Sequence, residues 1–476
     1  MNKYKIAKDI LFTNIFLLVI LVGFYLIAGN DLFYTNKEED KLITQTRIDI
    51  NTNDVLEQSI NLKFNTIEDI KILGYVKKED NNYLNLKIKN DSGEIIFSKD
   101  IDINNFKDGV PYSIKLDKPI CNEKRIRLIF TGNNMGLYAN EYYDNGRFKL
   151  DISSFSDYDN VLTYNGNEKK GNISYKLTGK NYHYLMNYYI VFAVILQLLW
   201  GVLSIYFFWG YKHNKNILFI DIIKILLKYK FLIEQMVKRD FKNKYKRSIL
   251  GIFWSLLNPL FMLAVQYAIF STLFKSVIDK FPIYLLIGII CFNFASEAIG
   301  RCLTSIVDNS YLLFKVYIPK YIFPLSYIIS SSINLFLSFI LLFIFILFND
   351  ININIKFLLL PYGIFCLLFF CLGLGLILAT LMVFFRDIQF LWGIINMLWL
   401  YLTPIFYPET IIPSEYMELY KLNPLYPIIT FFRSIIINGV SPEPAIYIQS
   451  FFTAMIFFVI GIVLFKWKEK DFIYYL

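Results

Sequence analysis

The residues with the clearest capacity for chemistry lie where a cationic stretch runs directly into an apolar one, in residues 230–260. Ammonium and guanidinium groups beside an apolar run are suited to anionic headgroups at a membrane surface. Trp254 and Phe253 suit two roles, an aromatic belt at the membrane edge or stacking on sugar rings. An ordinary positively charged flank before a span would have the same charge, so both interpretations stay open. The cations are Lys238, Arg239, Lys242, Lys244, Lys246 and Arg247.

The same stretch has the spacing of an amphipathic helix. Its apolar residues recur at intervals that place them on one helix face. We therefore predict, within residues 212–248, a helix that lies in the headgroup layer with this face towards the lipid. The stripe consists of Leu232, Met236, Val237, Phe241 and Tyr245.

A pair of charges lies inside a later apolar run. Glu297 and Arg301 are four residues apart, which places them on one helix face. Charges within a membrane are costly and need a partner. The sequence leaves two roles open for this pair: a structural ion pair, or a contact with a lipid phosphate.

The sequence lacks the short motifs of nucleotide-binding and hydrolytic sites. It contains no G-x-x-x-x-G-K-[ST] phosphate loop, so the chain cannot use ATP by that route. H-E-x-x-H, G-x-S-x-G and C-x-x-C motifs are also absent. Two histidines and five cysteines indicate neither a histidine metal site nor a disulfide framework. We expect no catalytic, cofactor or metal site.

Composition and hydropathy indicate an α-helical polytopic membrane protein. Of the 476 residues, 56% are hydrophobic and 18% are charged, and the mean hydropathy is +0.44. The net charge of +9 would also suit nucleic acid, but the cations cluster beside apolar runs, so we expect no nucleic-acid partner. Runs long enough to cross a bilayer about 30 Å thick predict eight spans. These are 10–28, 186–211, 250–275, 282–304, 322–348, 356–384, 389–405 and 443–465.

The spans divide the chain into five parts. Residues 1–28 form a transmembrane anchor, which we interpret as uncleaved because no small-x-small cleavage site follows, although a signal peptide shares its layout. Residues 29–185 are polar and alternate as strands do, for example in 83–90 and 125–132, and predict an extracytoplasmic all-β sandwich. A second anchor (186–211), the amphipathic region (212–248) and a six-span core (249–476) follow.

Tyrosines of the β domain have two interpretations. They could stack on sugar rings, or they could pack within the sandwich. They are Tyr138, Tyr142, Tyr143 and Tyr158.

The distribution of cations predicts the orientation. If every span crosses, Lys3, Lys5, Lys8, the block 212–247, Arg386 and Lys466 to Lys470 lie on one side. Cytoplasmic loops carry an excess of lysine and arginine, so both termini are expected in the cytoplasm and residues 29–185 outside.

Motifs that follow one another from residue 239 to residue 436 resemble the permease subunits of type-2 ABC exporters, which export lipid-linked polysaccharide and teichoic acid from bacteria. The first is R-D-x-x-x-x-Y-x-x-S-x-L-G-x-x-W-x-x-x-x-P (239–259). A span with Gly288 (281–299), the loop N-x-x-L-x-x-K-x-x-x-P-x-x-x-x-P (309–324) and an R-D pair (386–387) come next. Two proline-rich stretches (402–413 and 422–436) complete the set.

The resemblance implies roles for individual residues. At the cytoplasmic gate, where substrate would enter, these are Arg239, Tyr245, Leu250, Gly251 and Trp254. Gly251, without a side chain, would let a neighbouring helix or a headgroup approach closely. An outer re-entrant segment, in which short helices dip into the membrane, would contain Pro404, Tyr407, Pro408, Asn423, Pro424 and Arg433.

The resemblance also implies the assembly. A separate ABC ATPase subunit would bind ATP and Mg, while this chain would bind no cofactor. Two copies would form a homodimer with the conduit between them, and the partners would be a lipid-linked glycan and membrane lipid. The location would be the bacterial plasma membrane.

The loop between the second and third core spans is the expected contact with the ATPase. Asp308 and Asn309 could cap a short helix, and Pro319 could not continue one. Leu312, Phe314 and Tyr311 would then form an apolar knob, with Lys315 beside it, although an ordinary buried loop is the alternative.

Three functions remain in view at the level of sequence. The first is export of a lipid-linked polysaccharide or teichoic-acid-like polymer. The second is export of a drug or small lipid by the same superfamily. The third, a membrane glycosyltransferase, would need paired acids, and the outer acids Asp350, Glu409, Glu415 and Glu418 show no such pairing.

Overall fold

The computed structural model describes residues 3–40, 42, 46–62, 64–76, 83–101, 108, 110–121, 123–133, 135–140, 162–169, 172–212, 227–246, 248–274, 280–316, 318–349, 351–408 and 414–476. The chain divides into two compact units. Phe33–Tyr184 is built of strands, and Met1–Leu32 with Leu185–Leu476 is built of helices.

The strand unit contains the following strands in chain order. They are β1 (Tyr34–Asp40), β2 (Thr46–Ile50), β3 (Val55–Asn61), β4 (Thr66–Ile72), β5 (Gly74–Val76), β6 (Tyr83–Lys89), β7 (Ile95–Ile101), β8 (Tyr112–Cys121), β9 (Arg125–Asn133), β10 (Met135–Asn140), β11 (Leu162–Tyr164), β12 (Asn167–Lys169), β13 (Asn172–Ile173) and β14 (Tyr175–Tyr182).

Antiparallel sheets surround one apolar core in this unit. Their strand orders are β1-β14-β4-β8, β12-β11-β3-β9-β6-β7 and β13-β10-β2, with β5 also paired to β10. Along β6 every second residue (Leu84, Leu86 and Ile88) is buried. The predicted alternation in 83–90 is therefore confirmed, and Gly93, with φ of +87°, lies in the turn to β7.

The structure supports a packing role for Tyr138. Its ring lies 5.6 Å from that of Tyr75, and its hydroxyl accepts a hydrogen bond from Arg47 at 2.8 Å. The residue is buried. Tyr142, Tyr143 and Tyr158 lie outside the described residues.

The helical unit contains the following α-helices in chain order. They are α1 (Lys3–Ala28), α2 (Tyr189–Lys212), α3 (Lys230–Tyr245), α4 (Trp254–Phe274), α5 (Phe281–Asp308), α6 (Ser310–Lys315), α7 (Ile322–Phe348), α8 (Leu360–Phe384), α9 (Ile388–Leu402), α10 (Ser414–Lys421), α11 (Leu425–Ile436), α12 (Pro444–Lys468) and α13 (Phe472–Tyr475). Short 3-10 helices precede α4 (Gly251–Phe253) and α8 (Ile355–Leu359).

Seven helical segments of the described chain are long and apolar enough to cross a membrane. They correspond to seven of the eight predicted spans. The remaining one, predicted at 389–405, is wrong as a continuous helix. Here α9 has 15 residues, and at 1.5 Å per residue it is about 22 Å long, less than a bilayer core. Thr403 ends it with extended backbone.

Close backbone contact joins α8 and α12. A Cβ atom added to Gly373 would lie 2.4 Å from the backbone of Phe457 and Phe458, and one added to Gly461 would lie 2.4 Å from the carbonyl oxygen of Gly373. Without side chains at these two positions, the helix backbones approach more closely than other residues allow.

The first anchor is attached to the core rather than tethered beside it. Asp31, just after α1, accepts a hydrogen bond from the backbone nitrogen of Ser441 at 2.7 Å and pairs with Lys356. Within the anchor pair, Gln197 of α2 donates to the carbonyl oxygen of Asn14 in α1 at 3.0 Å. Hydrogen bonds between apolar helices fix how they pack.

Candidate functional site

The cationic helix α3 packs against protein at one end of the bundle. Ile233, Met236 and Asp240 are buried, and the first two belong to an apolar cluster with Ile306 and Phe323 of α5 and α7. The prediction that this apolar face lies on lipid is therefore wrong for the turn that contains them. An amphipathic helix gains the same burial from protein as from lipid, and periodicity does not distinguish the two.

Arg239, a predicted gate residue, connects α3 to the end of α5. It pairs with Asp240 at 3.0 Å and donates to Oδ1 of Asn309 at 3.3 Å. Burial lowers the pKa of the Arg239 guanidinium, but the hydrogen bond and charge of Asp240 raise it, and the net pKa lies above its usual value. The gate and the predicted ATPase loop thus share one polar cluster.

Asn309 does not cap the short helix as predicted. No side-chain hydrogen bond caps α6, because Oδ1 of Asn309, the atom that a cap would use, accepts from Arg239 of α3 instead. The Asn309 amide nitrogen donates to the carbonyl oxygen of Ser305 at 2.8 Å. Asp308 is the exposed last residue of α5. The competing partner in α3 is distant along the chain and could not be read from local sequence.

The short helix α6 is present and exposes part of the predicted knob. Phe314 is 61% exposed, and Tyr311, Lys315 and Val316 are also exposed. Leu312 instead packs half-buried against the apolar cluster under α3, so its place in the knob is a wrong prediction. The exposed apolar face of α6 consists of Tyr311 and Phe314, together with Val316 immediately after the helix.

Glu297 and Arg301 do form an ion pair, but a stronger partner comes from α3. Arg301 Nε lies 3.4 Å from Glu297 Oε1, whereas Lys244 Nζ lies 2.8 Å from the same oxygen. Asn334 of α7 also donates to Glu297 at 3.2 Å, and its own Oδ1 accepts from the Tyr245 hydroxyl at 2.9 Å. The end of α3 is thereby fixed to α5 and α7.

Sequence reasoning missed the roles of Lys244 and Asn334. In the sequence, Lys244 is one of several neighbouring cations and nothing distinguishes it from the others. Asn334 lies in the apolar run of α7. The available signal was a row of polar residues, Ser330 to Ser332 and Asn334, inside an otherwise apolar span.

A cavity of about 190 Å³ lies between α3, α4, α5 and α7. Tyr245 and Trp254, two predicted gate residues, line it together with Lys244 and Glu297. Most of the other lining side chains can form hydrogen bonds. They include Ser255, Asn258, Asn293, Ser331, Asn334 and Ser338.

Leu250 and Gly251 do not line this cavity. Leu250 is 44% exposed. Within the described chain nothing lies within 4 Å of a Cβ added to Gly251, so the predicted close approach is not seen. Its φ of +49° supplies the reason for glycine, because few other residues adopt that backbone conformation. The turn leads from α3 into α4.

Arg433 organises the outer proline-rich segment. It is 6% exposed, donates to the carbonyl oxygens of Pro404 at 2.8 Å and Ile405 at 3.2 Å, and lies 3.4 Å from the centre of the Tyr284 ring. Residues 403–406 and 408 are buried although they are not helical. Backbone carbonyls without helical partners need donors in an apolar interior, and Arg433 supplies them.

The other residues predicted for this segment hold the same non-helical backbone in place. Asn423 accepts from the Trp399 indole at 2.9 Å and donates to the Thr403 hydroxyl at 2.9 Å. The Tyr407 hydroxyl donates to the carbonyl oxygen of Tyr401 at 2.9 Å. Pro408 is buried, and Pro424 immediately precedes α11, which is largely buried among other helices.

The segment from α9 to Tyr407 runs antiparallel along α5. Asn396 donates to Ser296 at 2.8 Å, and the Phe292 and Trp399 rings lie 5.8 Å apart. Further along, the Tyr284 hydroxyl donates to the carbonyl oxygen of Tyr407 at 2.9 Å. A short helix and a buried non-helical segment thus lie beside the long helix α5.

Among the described residues, no group of three or more histidine, cysteine, aspartate or glutamate side chains could hold a metal ion. Cys291, Cys302, Cys366 and Cys371 are free and buried, while Cys121 is exposed. The sites are built of hydrogen-bonding, cationic and aromatic side chains. Side chains of these kinds can bind and position a ligand.

These features define a polytopic helical membrane protein with a cavity behind a cationic helix and a buried, partly non-helical segment near the opposite end of α5. Residues 232–437 match the family described as ABC-2 type transporter. The chain therefore contains the membrane domain of a type-2 ABC transporter and is a transport permease rather than an enzyme.

Several relatives are similar to this half of the chain. An O-antigen export system permease protein of Myxococcus xanthus is 28% identical over 226 residues, 47% of this chain and 87% of the relative. One from Klebsiella pneumoniae is 27% identical over 246 residues, 51% of this chain and 95% of the relative. A polysialic acid transport protein of Escherichia coli is 24% identical over 252 residues, 51% of this chain and 95% of the relative.

Proposed function

We propose that this chain is the transmembrane subunit of an ATP-driven exporter that moves a lipid-linked polysaccharide or a teichoic-acid-like polymer across the bacterial plasma membrane. The observation that carries the proposal is the transporter domain over residues 232–437, shared with relatives named for O-antigen export and polysialic acid transport. The cavity and the buried outer segment lie within that domain.

A separate ABC ATPase supplies the energy in this proposal. The sequence has no phosphate loop, so ATP and Mg belong to the partner subunit. The exposed apolar face of α6 is a suitable contact, because a small apolar surface on a short helix can seat in a groove. Asn309, immediately before α6, connects to Arg239 of α3, so movement at this face would reach the gate.

A homodimer completes the conduit in the same proposal. None of the residues of α9 is buried, and Phe390, Ile394 and Met397 are more than half exposed. An apolar helix with this much free surface can pack against a second copy or against lipid. Pairing of single cysteines at Ile394 across two copies would separate these alternatives.

We further propose an eighth crossing and cytoplasmic termini. The helix α9 is about 22 Å long, and the non-helical residues that follow it, as far as Pro408, would supply the rest of a bilayer core of about 30 Å. With eight crossings the cations of both termini and of α3 lie on one side, in agreement with the positive-inside rule.

Export of a drug or small lipid is the alternative within the superfamily. Depletion of this chain in the source bacterium distinguishes the two. The proposal expects loss of surface polymer and accumulation of the lipid-linked polymer inside the cell, both restored by the wild-type gene. Unchanged surface polymer together with sensitivity to a small lipid or drug would favour the alternative.

A further inference from the structure

We propose that the cavity between α3, α4, α5 and α7 binds one sugar unit of the exported glycan, near its lipid end. The inference rests on the proposed function for the identity of the ligand. The cavity itself does not depend on the proposed function, because it is formed by side chains of this chain.

The lining of the cavity combines an apolar wall with many side chains that can form hydrogen bonds. Ligand cavities are commonly lined by apolar side chains with a few polar groups. Here Asn258, Asn293, Asn334 and several serines meet from three helices. Amide and hydroxyl groups both donate and accept, which matches the hydroxyl groups of a sugar.

Ser331 gives independent support for a ligand. It is 1% exposed, lines the cavity, and its Oγ has no hydrogen-bond partner among the described residues. A buried hydroxyl without a partner costs about 1–3 kcal/mol in proteins. A ligand hydroxyl in the cavity would remove that cost.

The charges favour a neutral polar group over a phosphate. Lys244 and Glu297 both line the cavity, and they pair with each other at 2.8 Å. Arg301 is also engaged by Glu297. Lys244, the cation that lines the cavity, is therefore already paired with a carboxylate, and a phosphate bound there would lie beside that carboxylate.

The size of the cavity suits a single sugar unit. The volume of about 190 Å³ is below the range of about 300–1,000 Å³ that drug-sized ligands occupy. Trp254, at the wall, offers the aromatic surface on which a sugar ring stacks. The cavity lies at the end of the bundle where α3 carries its cations, the end at which a lipid-linked substrate would enter.

The test uses the full-length protein in lipid nanodiscs and ligand-observed saturation-transfer NMR. The probes are the methyl glycosides of glucose, galactose, mannose and N-acetylglucosamine, with methyl phosphate for comparison. Ser331→Leu fills the cavity, whereas Ser332→Leu adds the same bulk at the next residue of α7, which does not line it. Asn293→Ala removes hydrogen-bonding capacity without adding bulk.

We expect at least one methyl glycoside to bind. Ser331→Leu should abolish its signal, Ser332→Leu should retain it, and Asn293→Ala should weaken binding about three- to tenfold, as the loss of one hydrogen bond does. Thermal unfolding and gel-filtration profiles show whether each variant folds. If Ser331→Leu does not fold, Asn293→Ala decides alone.

Two results would overturn the proposal. One is the absence of glycoside signal, or a signal that is equal in all variants, which indicates a water-filled cavity. The other is binding of methyl phosphate alone with the same variant pattern, which indicates a headgroup phosphate site. Normal polymer export after depletion, combined with glycoside binding, would refute the proposed function and leave the cavity's ligand class intact.

Discussion

At the scale of single residues, the polar contacts of α3 are the most informative feature of the molecule. Lys244, Glu297 and Asn334 come from three helices and hold the end of α3 against the bundle. The sequence predicted the Glu297 and Arg301 pair from their spacing. It could not predict Lys244, because contacts between distant segments depend on how the helices cross.

Replacing Lys244 tests this contact. Lys244→Met should lower the free energy of unfolding by about 1–3 kcal/mol. The side chains of Lys244 and Glu297 are each about one-third exposed, so their pair should contribute more than a surface ion pair and less than a fully buried one. Thermal unfolding of the purified protein measures the change. Lys242→Met, on an exposed position of the same helix, is the control. Equal transitions for both variants would show that the pair contributes nothing.

At the scale of elements, the apolar pattern predicted the long helices well and the special segments less well. Seven helical segments of the described chain that are long and apolar enough to cross a membrane lie at the predicted places, because long apolar runs have few alternatives in a membrane. The prediction extended the helix beyond Leu402 because the next residues are equally apolar, although Pro404 disfavours helical backbone at Thr403. The sequence could not show that Arg433, about thirty residues later, supplies the donors with which the non-helical backbone is buried.

The glycine contact between α8 and α12 gives a prediction with a matched control. Gly373→Ala should destabilise the protein by about 1–3 kcal/mol, because the new methyl group meets the α12 backbone. Gly393→Ala in α9 has open space, and should be neutral or stabilise by up to about 1 kcal/mol through helix propensity. Thermal unfolding compares them. A Gly373→Ala protein as stable as Gly393→Ala would contradict the packing described here.

The exposed face of α6 gives a prediction about assembly. Phe314→Asp should reduce co-purification of the ATPase about fivefold or more, because a charge in an apolar contact costs about 1–3 kcal/mol or more. Quantitative pull-down of the two subunits measures this. Tyr474→Asp alters another exposed aromatic residue and should have no effect. Leu312→Asp, by contrast, should destabilise the permease itself, since Leu312 packs inward.

Retention of the ATPase by Phe314→Asp, with normal export, would place the contact elsewhere. The sequence motif alone did not separate these two residues. Their different burial follows from how α6 sits against α3, which is a tertiary property.

At the scale of the whole molecule, the orientation in the membrane is open to direct measurement. In a Cys121→Ser background, a cysteine at Asn352 should react with an impermeant thiol reagent in intact cells, and one at Lys470 should react only after lysis. Both positions are exposed. Labelling of Lys470→Cys from outside would reverse the proposed orientation.

The central claim, that this chain is the conduit of an ATP-driven glycan exporter, is tested most directly by reconstitution. The chain and its ATPase are placed in proteoliposomes that carry the lipid-linked polymer of the source bacterium in the leaflet facing the ATPase. The account predicts that ATP makes the polymer accessible to a glycosidase on the opposite side, and that Phe314→Asp, or liposomes without this chain, show no such change. Equal ATP-dependent transfer without this chain, or none with both subunits active, would contradict it.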